Sequence, residues 1–593
     1  MTYKTTFTFL KTIALGCMLS LLVACGGGGG ETQNSEPAPN PGTGGGETQT
    51  DTTWQSSAQT VTFLNRATFG AKPTDLNLHQ TTTASDWFEA QLNVSPTYLM
   101  QSIQKYTRPE DYDEPSLIYM ASTSFAFWQH AISAEDQLRQ RVAFALSEIL
   151  VTSTNSGDEL AEHAEAMASY QDLLIKHAFG NYRDLLTEVT YSPAMGFYLT
   201  YMGNEKGNEA TGKVPDENYA RELLQLFTIG VEQLNMDGST VLNSSNDPIE
   251  TYSNTDIQGL ARVFTGLNLD EDAHEESVAK AFSVPMWVFD EDHSLKEKTF
   301  LGQTIPANTY TEESIEQALD VIFNHQNVAP FVGKQLIQRL VSSNPSSAYI
   351  ERVALAFESG VFVLPNEKSI GAGRRGDLAA TVAAVLFDEE ALNPNAQQSG
   401  KVREPIIRFT HWARAFNVSN IRPEFVLPLW DTSSATRLGQ HPYRSPSVFN
   451  FFRPGYAAPG SMTAENNLVA PELQITNATS IPGYINFMTY FIAGLQQNVD
   501  IDEIEDEIEA EGLDLDADDA PTSFLVTYEL ALNYANDANA LVDYLNLLLT
   551  GNQISQQTVG RIVETISNLT EPEQRVKIAV LMMMTSADYL VQQ

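Results

Sequence analysis

Cysteine is almost missing from this sequence: two among 593 residues, Cys17 and Cys25. Both fall within the first 25 positions, so the chain that follows can form no disulfide and offers no thiol. Stability must rest on buried apolar surface, and a chain of this length has enough of it. Basic residues are scarce too, 34 Lys and Arg against 75 Asp and Glu, for a formal charge of −41. Such a chain repels nucleic acid and anionic lipid head groups, which takes nucleic acid off the roster of partners. Common catalytic signatures are absent: there is no HExxH, no GxSxG, no Walker loop and no GxGxxG opening a helix. No cofactor and no metal is expected from the motifs. Strand signals are few and no fixed-period repeat occurs, which argues against a solenoid.

What is present begins at the first residue. Residues 1–24 read as a lipoprotein signal peptide: Lys4 and Lys11 are its only charges, the apolar run 12–24 follows, and small residues precede Cys25. The run is too short to cross a bilayer as a helix. The expectation is therefore cleavage before Cys25 and lipidation of its thiol by palmitate-type acyl chains. An ordinary secretory signal with a chance cysteine is the alternative. Three acyl chains exceed the two signals that stable anchoring needs. The expected location is the bacterial envelope, at the outer membrane, on its periplasmic face or at the cell surface. Loss of Lys4 and Lys11 with the signal takes the charge to −43, so attachment would depend on the acyl chains. Residues 26–53 are rich in Gly, Pro, Thr and Glu and cannot bury a core. With Cys25 they make a tether with a root-mean-square span of roughly 30 Å.

From residue 54 to 593 the apolar periodicity is mostly helical, predicting helices over 59–69, 86–92, 135–151, 161–178, 181–190, 216–229 and 256–267. Further helices are expected at 313–323, 330–341, 348–357, 376–386 and 402–416, with three more between 524 and 590. Segments 281–289 and 299–305 flank a charged turn at 290–298 and could pair as a hairpin. The fold class is all-α, a mainly helical single body with a small β-hairpin insertion. Residues 500–519 hold twelve acids and no base. Asp514, Asp516 and Asp518 alternate as in a calcium loop, but the downstream glycine and glutamate are missing, so the block reads as a solvated acidic insertion.

Several segments could carry chemistry. In 218–230 (NYARELLQLFTIG) the residues Tyr219, Leu223, Leu226 and Phe227 share one face, and Glu222 falls at its edge. A carboxylate there either pairs or rises in pKa through desolvation, as a general acid would; a structural ion pair is the plainer outcome. Arg221 lies on the polar stripe. In 251–267, Asp256 sits in a first helical turn where capping alone explains it, and Arg262 occupies the opposite stripe. His293, beside Asp292, could be a general base, a ligand or an exposed turn residue; it lacks the HxH or HxxxH spacing of a metal site. Glu222, Asp256 and His293 are the catalytic candidates. Segment 401–453 carries eight basic residues against three acids, seven of the eight being arginine, with aromatic residues interleaved. Its Arg403, Arg408, Arg437 and Arg453, with Arg221 and Arg262, are the candidate anion binders, since a planar guanidinium suits carboxylate, sulfate or phosphate. The alternative is that these arginines neutralise acids within the fold.

The segments 66–70 (RATFG), 138–153 (LRQRVAFALSEILVTS), 177–186 (HAFGNYRDLL), 193–196 (PAMG), 215–230, 261–266 (ARVFTG), 293–302, 400–416 and 446–460 (PSVFNFFRPGYAAPG) occur in order. On them the chain resembles the bacterial domain-of-unknown-function family catalogued under the number eighteen hundred, from about residue 60 to the C-terminus. The resemblance implies one architecture rather than several domains. It supplies no catalytic residues. It also implies an exported protein, often encoded beside a second exported family that looks like a phosphatase or sulfatase relative. Two readings follow. One is a tethered binding or accessory protein for an anionic polymer such as an acidic glycan, or for that partner enzyme. The other is a carboxylate-dependent polysaccharide hydrolase or lyase, which needs two carboxyl groups roughly 5–10 Å apart.

Overall fold

A computed structural model describes residues 51–104, 117–156, 158–393, 400–419, 429–494 and 525–593. Residues 1–50, with the expected signal peptide, Cys25 and most of the expected tether, as well as Arg422 and the acidic block 500–519, lie outside the described residues. Within them the chain is mainly helical, and its strands form four two-stranded antiparallel sheets of two or three residues per strand.

Helix starts follow local chemistry. Ser56, Thr83, Asn181, Ser253, Ser346, Asp377, Asp537 and Ser555 each accept a backbone N–H of the first turn, satisfying donors that the helix itself leaves open. The helices gather around two apolar cores. The first is built largely by Ser57–Ala67, Ala164–His177, Val328–Leu340, Ser347–Ser359 and Leu378–Phe387. The second is built by Leu117–Ser133, Pro405–Ala415, Ser480–Ala493, Ala538–Thr550 and Pro572–Met584. Leu76 and Tyr443 pack against both. The cores also meet where Gly70, at φ +122°, brings its backbone against His411; a β-carbon there would lie 2.8 Å from the histidine.

Helix Gln137–Ser147 differs from its expected character. Periodicity over 135–151 reads as amphipathic, yet every residue from Gln137 to Leu146 is buried. Its polar side chains find internal acceptors: Arg139 donates to the carbonyls of Ile175 and Leu92, Arg141 to that of Arg339, and Gln140 to that of Thr97. A polar stripe can therefore face inward where carbonyls wait for it.

The expected hairpin is also rearranged. Val278–Ser283 is helical, and Trp287–Val288 pairs with Leu267–Asn268. Lys298–Phe300 pairs instead with Gln303–Ile305, closed by Leu301 and Gly302 at φ 48° and 71°. Two consecutive left-handed residues match the twist of a tight hairpin, so the turn sits inside the segment taken for one strand. Helix Asn254–Ala261 lies so close to this hairpin that a β-carbon on Gly259 would overlap the carbonyl of Thr299.

Candidate functional site

Three elements line a cavity of about 1050 Å³, which is the size of a ligand pocket. Helix Asn218–Glu222 passes into a π-helical stretch, Leu223–Thr228. Its wider turn presents Gln225 and Leu226 to the cavity, followed by Ile229 and Glu232; such stretches cost helix stability and recur at functional sites. Helix Val328–Leu340 presents Lys334, Gln335, Gln338 and Arg339. Loop residues 448–457 and 467–469 close the third side with Phe449, Arg453 and Tyr456.

Two cations on this wall have no anionic partner among the described residues. The Lys334 ammonium makes no ion pair or hydrogen bond, and burial alone draws its pKa below the ordinary lysine range. The Arg453 guanidinium stacks on the Phe449 ring at 4.5 Å and pairs with no carboxylate. Stacking fixes its plane while leaving its donors free. In a chain of net charge −41, two unpaired cations on one cavity call for an explanation.

Behind the cavity wall lies a buried charged cluster. Glu148, at the C-cap of Gln137–Ser147, reaches the cavity. Its Oε1 accepts from Asn450 Nδ2 at 3.1 Å, while its Oε2 has no donor, Arg339 Nε being 4.0 Å away. Glu148 contacts Glu404. Glu404 accepts from Gln440 at 2.9 Å and lies 3.2 Å from Lys401, which also pairs with Glu472. Burial and the neighbouring Glu404 push Glu148 well above the ordinary carboxyl range, against Arg339 and Lys401. Burial opposes ionisation of Glu404 as well, but Lys401, the hydrogen bond to Glu148, Arg141 and Gln440 overcome it and hold Glu404 below the ordinary range.

The residues singled out from sequence are placed as follows. Arg453 lines the cavity. Arg403 and Arg408 are buried: Arg403 donates to the Tyr589 carbonyl and lies over that ring, and Arg408 donates to the Arg403 carbonyl at 2.6 Å over Tyr484. Arg437 donates to the Asp431 carbonyl. Arg262 donates to the Glu297 carbonyl at 3.0 Å, and Arg221 pairs with Glu217 at 3.2 Å. Asp256 closes a capping box with Ser253 and accepts from the Leu301 N–H at 2.8 Å. His293 is buried between Thr265 and Ser314. Glu222 is buried, with Oε2 unpartnered, and burial raises its pKa against Arg221. Asp256, Arg262 and His293 thus share the neighbourhood of the 298–305 hairpin. No hydrogen bond or ion pair among the described residues joins Glu222 to Asp256 or His293.

Sequence reading missed Glu148, Lys334 and Arg339. A signal existed for one: Glu148 is the only ionisable residue in 142–151, and Arg141 precedes it by seven positions, on the same helical face. Lys334 reads as an ordinary polar-face lysine, because nothing local tells that no acid will face it.

A mainly helical body with two apolar cores and a cation-bearing cavity defines the class. The chain belongs to the family described as "Protein of unknown function (DUF1800)", which matches residues 62–591. No curated protein and no solved structure matches it. Among the described residues no group of three or more His, Cys, Asp or Glu side chains converges as for a metal ion, and no helix is long and apolar enough to cross a membrane.

Proposed function

We propose that this is an envelope-tethered binding or accessory protein that holds an anionic polymer, an acidic glycan in particular, in the cavity flanked by Val328–Leu340. One observation carries the reading: Lys334 and Arg453 face about 1050 Å³ of cavity without a carboxylate partner, in a chain of charge −41. An anionic group on the ligand would complete both with charge-assisted hydrogen bonds. The amides of Gln225, Gln335, Gln338 and Asn344 and the rings of Phe331, Phe449 and Tyr456 supply the polar and stacking contacts that sugar rings use.

A hydrolase or lyase acting on the same polymer is the second reading. It is favoured by Glu148, a cavity carboxyl group whose pKa burial and Glu404 push up in the direction a general acid requires, with Glu232 as the other carboxylate on the wall. Calorimetric titration with oligogalacturonate and chondroitin-sulfate oligosaccharides, against neutral cello-oligosaccharides, tests both. Acidic probes should bind, with affinity falling as salt rises. Lys334→Ala and Arg453→Ala should each weaken binding about tenfold. Equal affinity for neutral and acidic probes rejects the anion reading. New reducing ends or unsaturated products would establish the enzyme instead.

A further inference from the structure

The unused oxygens of the buried cluster point to one more property of the cavity. Glu148 Oε2 and Glu404 Oε1 are both buried and accept no well-aligned hydrogen bond; the Lys401 ammonium lies 3.2 Å from Glu404 Oε1, while the nearest cation to Glu148 Oε2, Arg339 Nε, is 4.0 Å away. The two carboxyl groups nevertheless contact each other. Ionised carboxylates are acceptors only, so two of them in contact repel, and Lys401 answers the Glu404 oxygen alone. A single proton between them removes the repulsion and satisfies both oxygens at once.

Which side holds that proton follows from the surroundings. Glu404 is flanked by the Lys401 ammonium, by Arg141 and by the Gln440 amide, all of which favour its ionised form. Around Glu148 the charged and titratable groups are Arg141 on its own helix, Arg339 from Val328–Leu340, Lys401 from strand Lys401–Val402 and Glu404 at the N-cap of Pro405–Ala415; Asn450 is its one neutral donor. Glu472 touches the cluster through Lys401. The Arg339 charge opposes protonation of Glu148, but its hydrogen bonds go to the carbonyls of Glu148 and Gln335 and not to the carboxyl group, which its Nε approaches only to 4.0 Å. The proton belongs on Glu148, and Glu148 is the member of the pair that lines the cavity.

We infer that Glu148 carries a proton shared with Glu404, which leaves the cavity wall there uncharged, so that the protonated form is the one competent to bind an anionic ligand. With the proton held between the two carboxyl groups Glu148 adds no charge to the wall, whereas an ionised Glu148 would repel the ligand's charge across the low-dielectric wall. Binding is then linked to this proton. Below the pKa of Glu148 affinity is flat; above it, affinity falls by up to about tenfold per pH unit. The linkage rests on the binding reading above, whereas the shared proton does not.

Two measurements on the full-length chain separate them. Infrared difference spectra of wild type against Glu148→Gln, in water and heavy water, should show the carbonyl band of a protonated carboxyl group at neutral pH, lost in the variant. Absence of that band in the wild type overturns the inference. Oligogalacturonate affinity, measured from about pH 5 to about pH 9 where the probe stays ionised, should fall with pH in the wild type and lose that slope in Glu148→Gln. An unchanged slope in the variant also overturns it. Glu404→Gln donates to Glu148 and favours its ionised form, so the break in the profile should move to lower pH; a move upward contradicts the arrangement. Failure of acidic probes to bind at any pH rejects the binding reading and the linkage with it, while the infrared band still decides where the proton lies.

Discussion

His293 is held from both sides of its ring, Nδ1 at 2.8 Å from the Thr265 carbonyl and Nε2 at 3.1 Å from Ser314 Oγ. A carbonyl can only accept, so Nδ1 carries a proton, and burial disfavours a second one on Nε2. Burial pushes its pKa down to about 4; the carbonyl bond opposes this and Lys298 adds to it. The folded value lies below that of an unfolded histidine, so the unfolded chain takes up the proton first as pH falls. The stability this ring contributes is complete above about pH 6.5 and is lost toward about pH 4, by ~3 kcal/mol. Burial lowers His441 to about 3 and His411 well below its ordinary value, so they add to the same acid loss. Urea midpoints measured across this range should fall with acid, and His293→Gln should show a shallower fall by about one proton. A variant as acid-sensitive as the wild type would contradict the assignment. Little of this was legible in the residues 290–298, where His293 stands among charges as an exposed turn residue would. Asp256 was legible: Ser253 three residues before it is the mark of a capping box, and that is its role.

At the scale of elements, the scarce cations hold helix ends. Arg414 donates to the carbonyls of Ile132 and Gly70, Arg339 to Glu148, Arg141 to Arg339, Arg375 to Phe323, and Lys577 to Ala493. Most of these carbonyls lie at or beside helix C-termini, which carry partial negative charge and lack intrahelical donors. This explains why arginines crowd 401–453: part of them cap other helices through space, and only Arg453 of the four singled out there lines the cavity. Arg414→Ala should lower stability by about 3 kcal/mol, because two buried carbonyls lose their donor. Arg414→Lys should recover only part, since an ammonium lacks the planar fork. A denaturation midpoint for the alanine variant within error of wild type would rule the capping role out. Helices with a clear 3.6-residue stripe, such as Thr311–Phe323 and Ser347–Ser359, were read to within two residues at most ends. Leu117–Ser133 was missed because it is apolar nearly all round and shows no stripe. Ser480–Ala493 was missed because its Pro482, Gly483 and aromatic residues resemble neither a helix nor a clean strand. Partners distant in sequence decide both.

For the whole molecule, charge and attachment are one problem. The formal charge is −41, and the cations that the interior uses for helix ends are unavailable to the surface. A body of this kind gains nothing from anionic head groups, and among the described residues no helix is long and apolar enough to cross a bilayer. The proposed envelope location therefore depends on Cys25 alone, through acyl chains each contributing about 0.8 kcal/mol per buried methylene. Cys25→Ser removes the thiol that acylation requires. The variant should leave the membrane fraction for the soluble one, or stay with its leader uncleaved. The described body should keep its fold either way, because both of its apolar cores assemble from residues between Trp54 and Tyr589. Fractionation after a high-salt wash reads the first effect, and far-ultraviolet circular dichroism of the released protein reads the second. Salt matters to the design: screening over about 8–10 Å removes adventitious ionic adhesion and leaves acyl insertion untouched. Equal retention of Cys25→Ser and wild type after that wash would mean that the body itself binds membranes, and the tethered reading would fall.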